Sequence, residues 1–328
     1  MLAFFENLLN IPSPTGSEEE AGEYVFAFLQ QMGLKVEKQL VDGRRFNVIA
    51  TTHEEPRVLL CTHLDTVLPD LPVAIKGDVI YGRGACDAKG ALFSMVMAGE
   101  RLLQKGIREF GFLFVVGEEK NSDGAKKAVN LSLGSEYVVI GEPTDNKLAL
   151  GQKGSIVFQA VAHGRAGHSA YPQSGDSAIE RLVRALYQWQ NMDWGRHELL
   201  GSTTLNIGKI SGGSGANVIA ERAEAEGIFR VATSVQEVLE KLLTFCSEKF
   251  EIDVSSRSEP QILTPLEGLD TTVVSFGSDA PYLKPLGQVL MLGPGSVKYA
   301  HSDNEQIALE ELYRASDLYV EIVEKLVS

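Results

Sequence analysis

Five short clusters of His, Asp and Glu stand out in this 328-residue sequence, because each follows an apolar run or lies beside glycines. In chain order they are HLD with His63 and Asp65, GRGACDAKG with Asp87, GEE with Glu118 and Glu119, GEP with Glu142, and AHSDNE with His301. Singly, each has a structural explanation, since a lone histidine is more often structural and an aspartate in such a turn can cap a helix. Together, their nitrogen and oxygen donors are typical of a divalent metal site.

The adjacent carboxylates Glu118 and Glu119 follow the apolar run FLFVV, where two neighbouring negative charges would repel each other. One explanation is a strand that has simply reached solvent. The other is that Glu119 binds a cation while Glu118 holds a water molecule as a general base. The ligand set is large enough for two ions about 3.5–4 Å apart that share one carboxylate.

The segments around these clusters alternate between strand-like and helix-like patterns. NVIAT, RVLLCTH, FGFLFVVG and YVVIGEP are apolar runs of strand length, and residues 17–32 and 90–106 have helical patterns, the first with Ser17 as a candidate cap. This alternation predicts an α/β fold with a mixed sheet covered by helices, in which ligands collect beyond the carboxyl ends of the strands. His63 and Asp65 share a face at a strand end, so we predict that Asp65 hydrogen-bonds the ring and fixes its tautomer.

The pattern changes between residues 154 and 259. There the order of elements is β-α-β-β-α-β, which is typical of a ferredoxin-like fold. We therefore predict a metal-binding catalytic domain formed by residues 1–153 and 260–328, interrupted by an inserted lid and dimerisation domain at residues 154–259.

Composition excludes several classes of partner. The formal net charge of −14 argues against binding to nucleic acid or to an anionic membrane. No apolar stretch is long enough to cross a bilayer, and the first residues make a poor signal peptide. Three cysteines form no disulfide framework. These features predict a cytoplasmic protein without a nucleic-acid or membrane partner.

In order and spacing, the five motifs resemble the di-zinc aminoacylase and carboxypeptidase family, peptidase family M20. That family includes acetylornithine deacetylase, succinyl-diaminopimelate desuccinylase, acetyl-lysine deacetylase and glutamate carboxypeptidases, and the resemblance covers nearly the whole chain. It implies two Zn²⁺ ions, with Co²⁺ able to substitute. One ion would be held by His63, Asp87 and Glu142, and the other by Asp87, Glu119 and His301. The resemblance also makes Glu118 the general base and Asp65 the residue that orients His63.

Three residues of the inserted domain match further family positions. His168, in HGRAGHSAYP, resembles a lid histidine that reaches a partner subunit's site and stabilises the oxyanion. Asn217 and Arg230 match substrate-contacting positions, and an arginine can bind a carboxylate through two hydrogen bonds. The alternatives are a surface turn for His168 and an ion pair with a nearby glutamate for Arg230. His53, His163 and His197 match nothing and are expected to be structural.

The expected function is hydrolysis of the amide bond of an N-acylated amino acid by a homodimer joined through the lid domain. An N-acetyl amino acid, as in acetylornithine or acetyl-lysine deacetylase, is the favoured substrate. A dipeptidase or glutamate-type carboxypeptidase on the same scaffold is the first alternative. A metal-dependent binding protein without turnover is the second. The chain is short for the family, and Ala220 replaces the proline of the family's usual NVIP.

Overall fold

The computed structural model describes all 328 residues, and their contacts divide the chain into two compact units. Unit 1 comprises residues 1–150, 263–272 and 278–328, and unit 2 comprises residues 151–262 and 273–277. The predicted domain boundaries, at 153/154 and 259/260, lie close to these divisions. Unit 2 therefore interrupts unit 1 along the chain.

Helices and strands alternate through most of the chain. The helices are α1 (Leu2–Leu9), α2 (Glu19–Gln31), α3 (Lys89–Gln104), α4 (Asp123–Ala128), α5 (Ala178–Asn191), α6 (Val235–Leu243), α7 (Ala280–Leu283) and α8 (Leu309–Val327). The strands are β1 (Lys35–Asp42), β2 (Arg45–Thr51), β3 (Val58–His63), β4 (Ala74–Lys76), β5 (Val79–Tyr81), β6 (Phe110–Val115), β7 (Tyr137–Ile140), β8 (Leu148–Gln152), β9 (Gly154–His163), β10 (Gly167–His168), β11 (Arg196–His197), β12 (Gly201–Ser202), β13 (Thr204–Gly212), β14 (Val218–Ile219), β15 (Arg222–Val231), β16 (Phe250–Ser258), β17 (Gln261–Ile262), β18 (Thr271–Val274), β19 (Gln288–Met291) and β20 (Gln306–Ala308). None of these helices combines the length and the apolar character that crossing a bilayer requires.

The main sheet of unit 1 has six strands in the order β1-β2-β6-β3-β7-β19. Strands β6, β3, β7 and β19 run parallel, whereas β1 and β2 form an antiparallel edge. Every residue of β3 and β6 is buried, as expected for strands covered on both faces. The predicted mixed α/β sheet is confirmed.

The register of the parallel strands brings their carboxyl ends to one edge of the sheet. His63, the last residue of β3, lies opposite Val115, the last residue of β6. Cys61 lies opposite Ile140, the last residue of β7, and the Gly141 N–H donates to the Cys61 carbonyl at 2.8 Å. The loops that carry the polar clusters therefore leave the sheet side by side.

The amino-terminal segment packs onto the start of α3. The buried Lys89, the first residue of α3, donates from Nζ to the carbonyls of Leu8 at 3.1 Å and Ile11 at 2.7 Å. Burial lowers the pKa of Lys89 to about 8. These two hydrogen bonds tie the carboxyl end of α1 to the loop that contains Asp87.

Helix α2 begins at Glu19, so the expected cap by Ser17 is wrong. The residue before the helix is Glu18, whose carboxylate binds Arg45 and the N–H of Gly16 instead of capping α2. The buried Glu18 carboxylate is thus used by these donors, and no side chain caps α2.

Unit 2 contains a four-stranded antiparallel sheet in the order β13-β15-β9-β16. With α5 and α6 at their places in the chain, the order of elements is β-α-β-β-α-β, which confirms the ferredoxin-like prediction. Strand β9 alternates buried and half-buried residues, and its buried face packs with the helices. The centre of this core is aromatic and contains Phe158, Trp189 and Phe229.

Candidate active site

The carboxylate of Asp87 lies between the two predicted histidine ligands of unit 1. Its Oδ1 is 3.1 Å from His63 Nε2, and its Oδ2 is 3.4 Å from His301 Nε2. The Asp87 side chain is 12% exposed, and helix α3 has Ala88 at its N-cap position with no side-chain cap, so Asp87 does not serve as a helix cap. One oxygen facing each histidine is the arrangement expected of a carboxylate shared by two cations.

Glu119 completes this cluster. Its Oε1 lies 3.0 Å from His301 Nε2, and the ligand atoms of His63, Asp87 and Glu119 lie within 4.8 Å of one another. The carboxylates of Asp87 and Glu119 raise the pKa of His301 to about 10. Two imidazoles among carboxylates form a donor set that suits zinc. The residues therefore fit a divalent metal site.

His63 is held from its other ring nitrogen. Nδ1 lies 2.8 Å from the main-chain carbonyl of Asp65 and 3.5 Å from Asp65 Oδ1. Because a carbonyl can only accept, Nδ1 carries a proton, so Nε2 is the ring atom left to bind a cation beside Asp87. The main-chain carbonyl of Asp65 thus makes the shorter contact with the ring, and its carboxylate makes the longer one.

The Asp65 carboxylate holds the turn that carries the two glutamates. Its Oδ1 accepts the N–H of Glu118 at 3.1 Å, and its Oδ2 accepts the N–H of Glu119 at 3.1 Å and the hydroxyl of Thr15 at 2.8 Å. Burial alone would raise the pKa of Asp65, but the hydrogen bonds from His63, Thr15 and Glu119 outweigh burial and lower it. The Asp65 carboxylate accepts these hydrogen bonds and lies farther from the His63 ring than the Asp65 carbonyl does.

The turn after β6 has not simply reached solvent. Val116 is fully buried, and the Glu119 side chain is only 7% exposed. Burial raises the pKa of Glu118 well above 4.5, and the nearby carboxylates of Glu142, Asp279 and Glu119 raise it further. This is the repulsion expected of carboxylates that crowd a low-dielectric site.

Glu142 follows β7 and is buried. Burial raises the pKa of Glu142 well above 4.5, as do the carboxylates of Asp87, Asp279 and Glu119, while His63 opposes the shift. Its carboxylate belongs to the same electrostatic environment, but it is not one of the three residues whose ligand atoms all lie within 4.8 Å.

Asp279 is a buried carboxylate of this environment that was not predicted from the sequence. It precedes α7, and burial raises the pKa of Asp279 to about 6, with opposing contributions from Ser122 and His63. Its only sequence signal is an acidic residue that follows a strand-like run, TTVVSFGS. Thr15, which holds Asp65, has no comparable signal.

The remaining candidates lie in unit 2. His168 is exposed on β10, which pairs with β14, and the N–H of Ser169 donates to the Asn217 carbonyl at 3.1 Å. The structure thus brings the segments of His168 and Asn217 together. Arg230 lies on β15 and forms no ion pair with any glutamate, and burial alone lowers the pKa of Arg230. The ion-pair alternative for Arg230 is therefore wrong.

A parallel sheet edge that collects histidines and carboxylates, in a chain interrupted by a ferredoxin-like unit, defines a two-domain metallohydrolase. Residues 150–254 match the peptidase dimerisation domain of M20 proteins. A peptidase M20 domain-containing protein of Schizosaccharomyces pombe is 38% identical over 98% of this chain and 84% of its own length. The chain therefore belongs to the M20 peptidase family and is a hydrolase, as the motifs implied.

Two further similarities agree with this assignment. A probable carboxypeptidase of Aspergillus flavus is 34% identical over 98% of this chain and 89% of its own length. The crystal structure of a Staphylococcus aureus tripeptidase superposes with a TM-score of 0.82 at 24% identity, over 99% of this chain and 98% of that chain, which shows a shared fold.

Proposed function

We propose that this protein is a two-metal amidohydrolase that cleaves the amide bond of an N-acylated amino acid, with N-acetyl amino acids as the favoured substrates. The observation that carries the proposal is the Asp87 carboxylate, which faces His63 with one oxygen and His301 with the other. Glu119 adjoins this cluster, and Glu118 lies on the same turn. The set thus combines metal ligands with a candidate base.

Two Zn²⁺ ions, or Co²⁺ in their place, fit the donors present. His63, Asp87 and Glu142 would hold one ion, and Asp87, Glu119 and His301 the other. When bound, such ions polarise the acyl carbonyl and make water acidic enough to be activated near neutral pH.

The chain's own residues supply the other steps. Glu118 accepts a proton from the attacking water and returns it to the leaving amine. The N–H bonds to Asp65 keep the turn of Glu118 in place. His168 donates a hydrogen bond to the oxyanion. Arg230, whose guanidinium has no carboxylate partner, binds the carboxylate of the substrate, and Asn217 provides a further polar contact.

A carboxypeptidase or dipeptidase is the second candidate, because the Aspergillus flavus relative is described as a probable carboxypeptidase and the Staphylococcus aureus neighbour as a tripeptidase. The catalytic groups would be the same, since both kinds of substrate carry an amide near a free carboxylate. A binding protein without turnover would not need Glu118 beside a complete ligand set.

A substrate panel combined with metal analysis tests the proposal. We expect two divalent ions per chain and the highest kcat/KM on N-acetyl amino acids, compared with dipeptides and tripeptides. Activity should disappear on chelation and return with Zn²⁺ or Co²⁺. N-acetyl amino acid amides, which lack the free carboxylate, serve as matched poor substrates.

Other outcomes of this experiment separate the alternatives. A preference for peptides would establish the second candidate. A preparation without metal whose activity survives prolonged chelation would exclude a metal-dependent mechanism.

We also propose that unit 2 forms a homodimer with a second copy of the chain. On α5, the apolar residues Ile179, Val183 and Tyr187 are exposed at intervals of four residues, so they form one stripe along the helix. Strand β13 is an edge of its sheet and exposes Ile210. An edge strand and an apolar helix stripe suit a two-fold contact between identical surfaces.

Val183→Glu should therefore convert the dimer to a monomer. A buried charge without a partner costs on the order of 3 kcal/mol, which weakens association about 100-fold. Sedimentation velocity measures the effect, and Leu243→Glu, on the exposed side of α6, is the control for the same chemical change elsewhere in unit 2. A wild-type protein that is monomeric and fully active at working concentration would contradict the prediction.

A further inference from the structure

Glu305 is a buried carboxylate that the proposed reaction does not use. It closes the AHSDNE motif, four residues after His301, and is 1% exposed. Its Oε1 accepts the N–H of Cys86 at 3.1 Å and the N–H of Asp87 at 3.0 Å. Oε1 of Glu305 therefore fixes the main chain at Cys86 and Asp87.

The other oxygen of Glu305 is held by Arg83. Arg83 Nη1 donates to Glu305 Oε2 at 2.6 Å and to the Ser302 carbonyl at 3.3 Å, and Nε donates to the Pro69 carbonyl at 3.0 Å. Both side chains are buried. Because both Glu305 oxygens are committed to donors, Glu305 is not a free metal ligand.

The contacts of Glu305 and Arg83 connect the segment of Asp87 to the segment of His301. At one end of the link, the N–H of Asp87 donates to Glu305, and at the other end the carbonyl of Ser302, next to His301, accepts from Arg83. His301 needs such support, because it is 51% exposed, lies outside any helix or strand and has a φ of +60°. A non-glycine residue in this region of φ is held there by its surroundings.

We propose that Glu305 and Arg83 act as a positioning pair that sets the placement of Asp87 relative to His301, and so the affinity of the ion that these two residues share. The inference rests on the metal assignment in the proposed function. It adds two residues that contact neither ion nor substrate but act through the ligands that do.

Graded chelation of the metal-loaded enzyme tests the pair. Samples are dialysed against increasing chelator concentrations, the metal remaining per chain is measured, and circular dichroism confirms the fold. Glu305→Gln removes the charge and leaves only one oxygen as an acceptor. We expect the ion shared by Asp87 and His301 to be released at an approximately 10–100-fold lower chelator concentration, and the other ion, which Asp87 also holds, to shift less.

Two further variants separate positioning from general stability. Arg83→Lys keeps the charge but places all its donors on one nitrogen, whereas Arg83 donates from both Nε and Nη1, so we expect a smaller shift in the same direction. Leu29→Ala removes buried volume from α2, away from the ligand loops, so it should lower the melting temperature. It should leave unchanged the two release midpoints, the chelator concentrations at which half of each ion is lost. With Co²⁺ in the site, only the Glu305 and Arg83 variants should alter the visible absorption of the metal.

Several results would overturn the inference. Unchanged midpoints in Glu305→Gln would do so, as would an equal shift in Leu29→Ala, which would attribute the effect to stability. If Glu305→Gln does not fold, Arg83→Lys decides the question, and unchanged midpoints in that variant reject the pair. A wild-type protein without bound metal would reject the proposed function itself, and this inference with it.

Discussion

Glu118→Gln should lower kcat by about 10²–10⁴-fold while both metal ions and the fold are retained, because the change removes only the proton acceptor. The amide is nearly isosteric with the carboxylate, and the N–H of residue 118 still donates to Asp65. The turn therefore keeps its position. Steady-state kinetics, together with metal content per chain, measures both parts of the expectation.

Glu119→Gln is the matched control for this experiment. The Glu119 carboxylate faces His301, so its neutralisation should reduce metal content as well as activity. Near-full activity in Glu118→Gln would show that the base is misassigned. Retained metal with lost activity in Glu119→Gln would indicate that the two glutamates have exchanged roles.

His168→Ala should lower kcat by about 10²–10³-fold, the effect of removing one oxyanion donor, with a smaller change in KM. His168 Nδ1 accepts the N–H of Ala170 at 3.1 Å. In the neutral ring the proton is then on Nε2, which is exposed and able to donate. His197→Ala is the control, since Nδ1 of His197 also accepts a main-chain N–H, from Leu199. That variant should have wild-type kinetics.

Mixing two inactive variants tests whether His168 acts in the active site of its own subunit or in that of the partner subunit. His168 belongs to unit 2, whereas all predicted metal ligands belong to unit 1. If the histidine serves the partner's site, a mixed dimer of Glu118→Gln and His168→Ala chains contains one intact site. Random exchange of equal amounts should then restore about a quarter of wild-type activity. A kinetic defect without rescue would place His168 in its own subunit's site, and unchanged kinetics would make it a surface histidine.

Local sequence patterns determined most of the architecture and most of the candidate residues. Strands β3 and β6 are mostly apolar, and in unit 2 the changes between strand and helix periodicity mark all six elements. The clusters HLD, GEE and GEP were recognisable because they lie at the ends of β3, β6 and β7. Such signals depend on residues a few positions apart, so they can be read without knowledge of the folded chain.

Only the tertiary structure decided which atoms meet. His63 and Asp65 are close in sequence, yet the shortest contact of the ring is with the Asp65 carbonyl, and the Asp65 carboxylate also accepts N–H groups 53 and 54 residues along the chain. Arg83 and Glu305 form an ion pair although they are 222 residues apart in sequence, and no local sequence pattern predicts this pair. Hydrogen bonds are decided by distance and direction in the folded protein, where separation along the chain no longer limits which donors and acceptors meet.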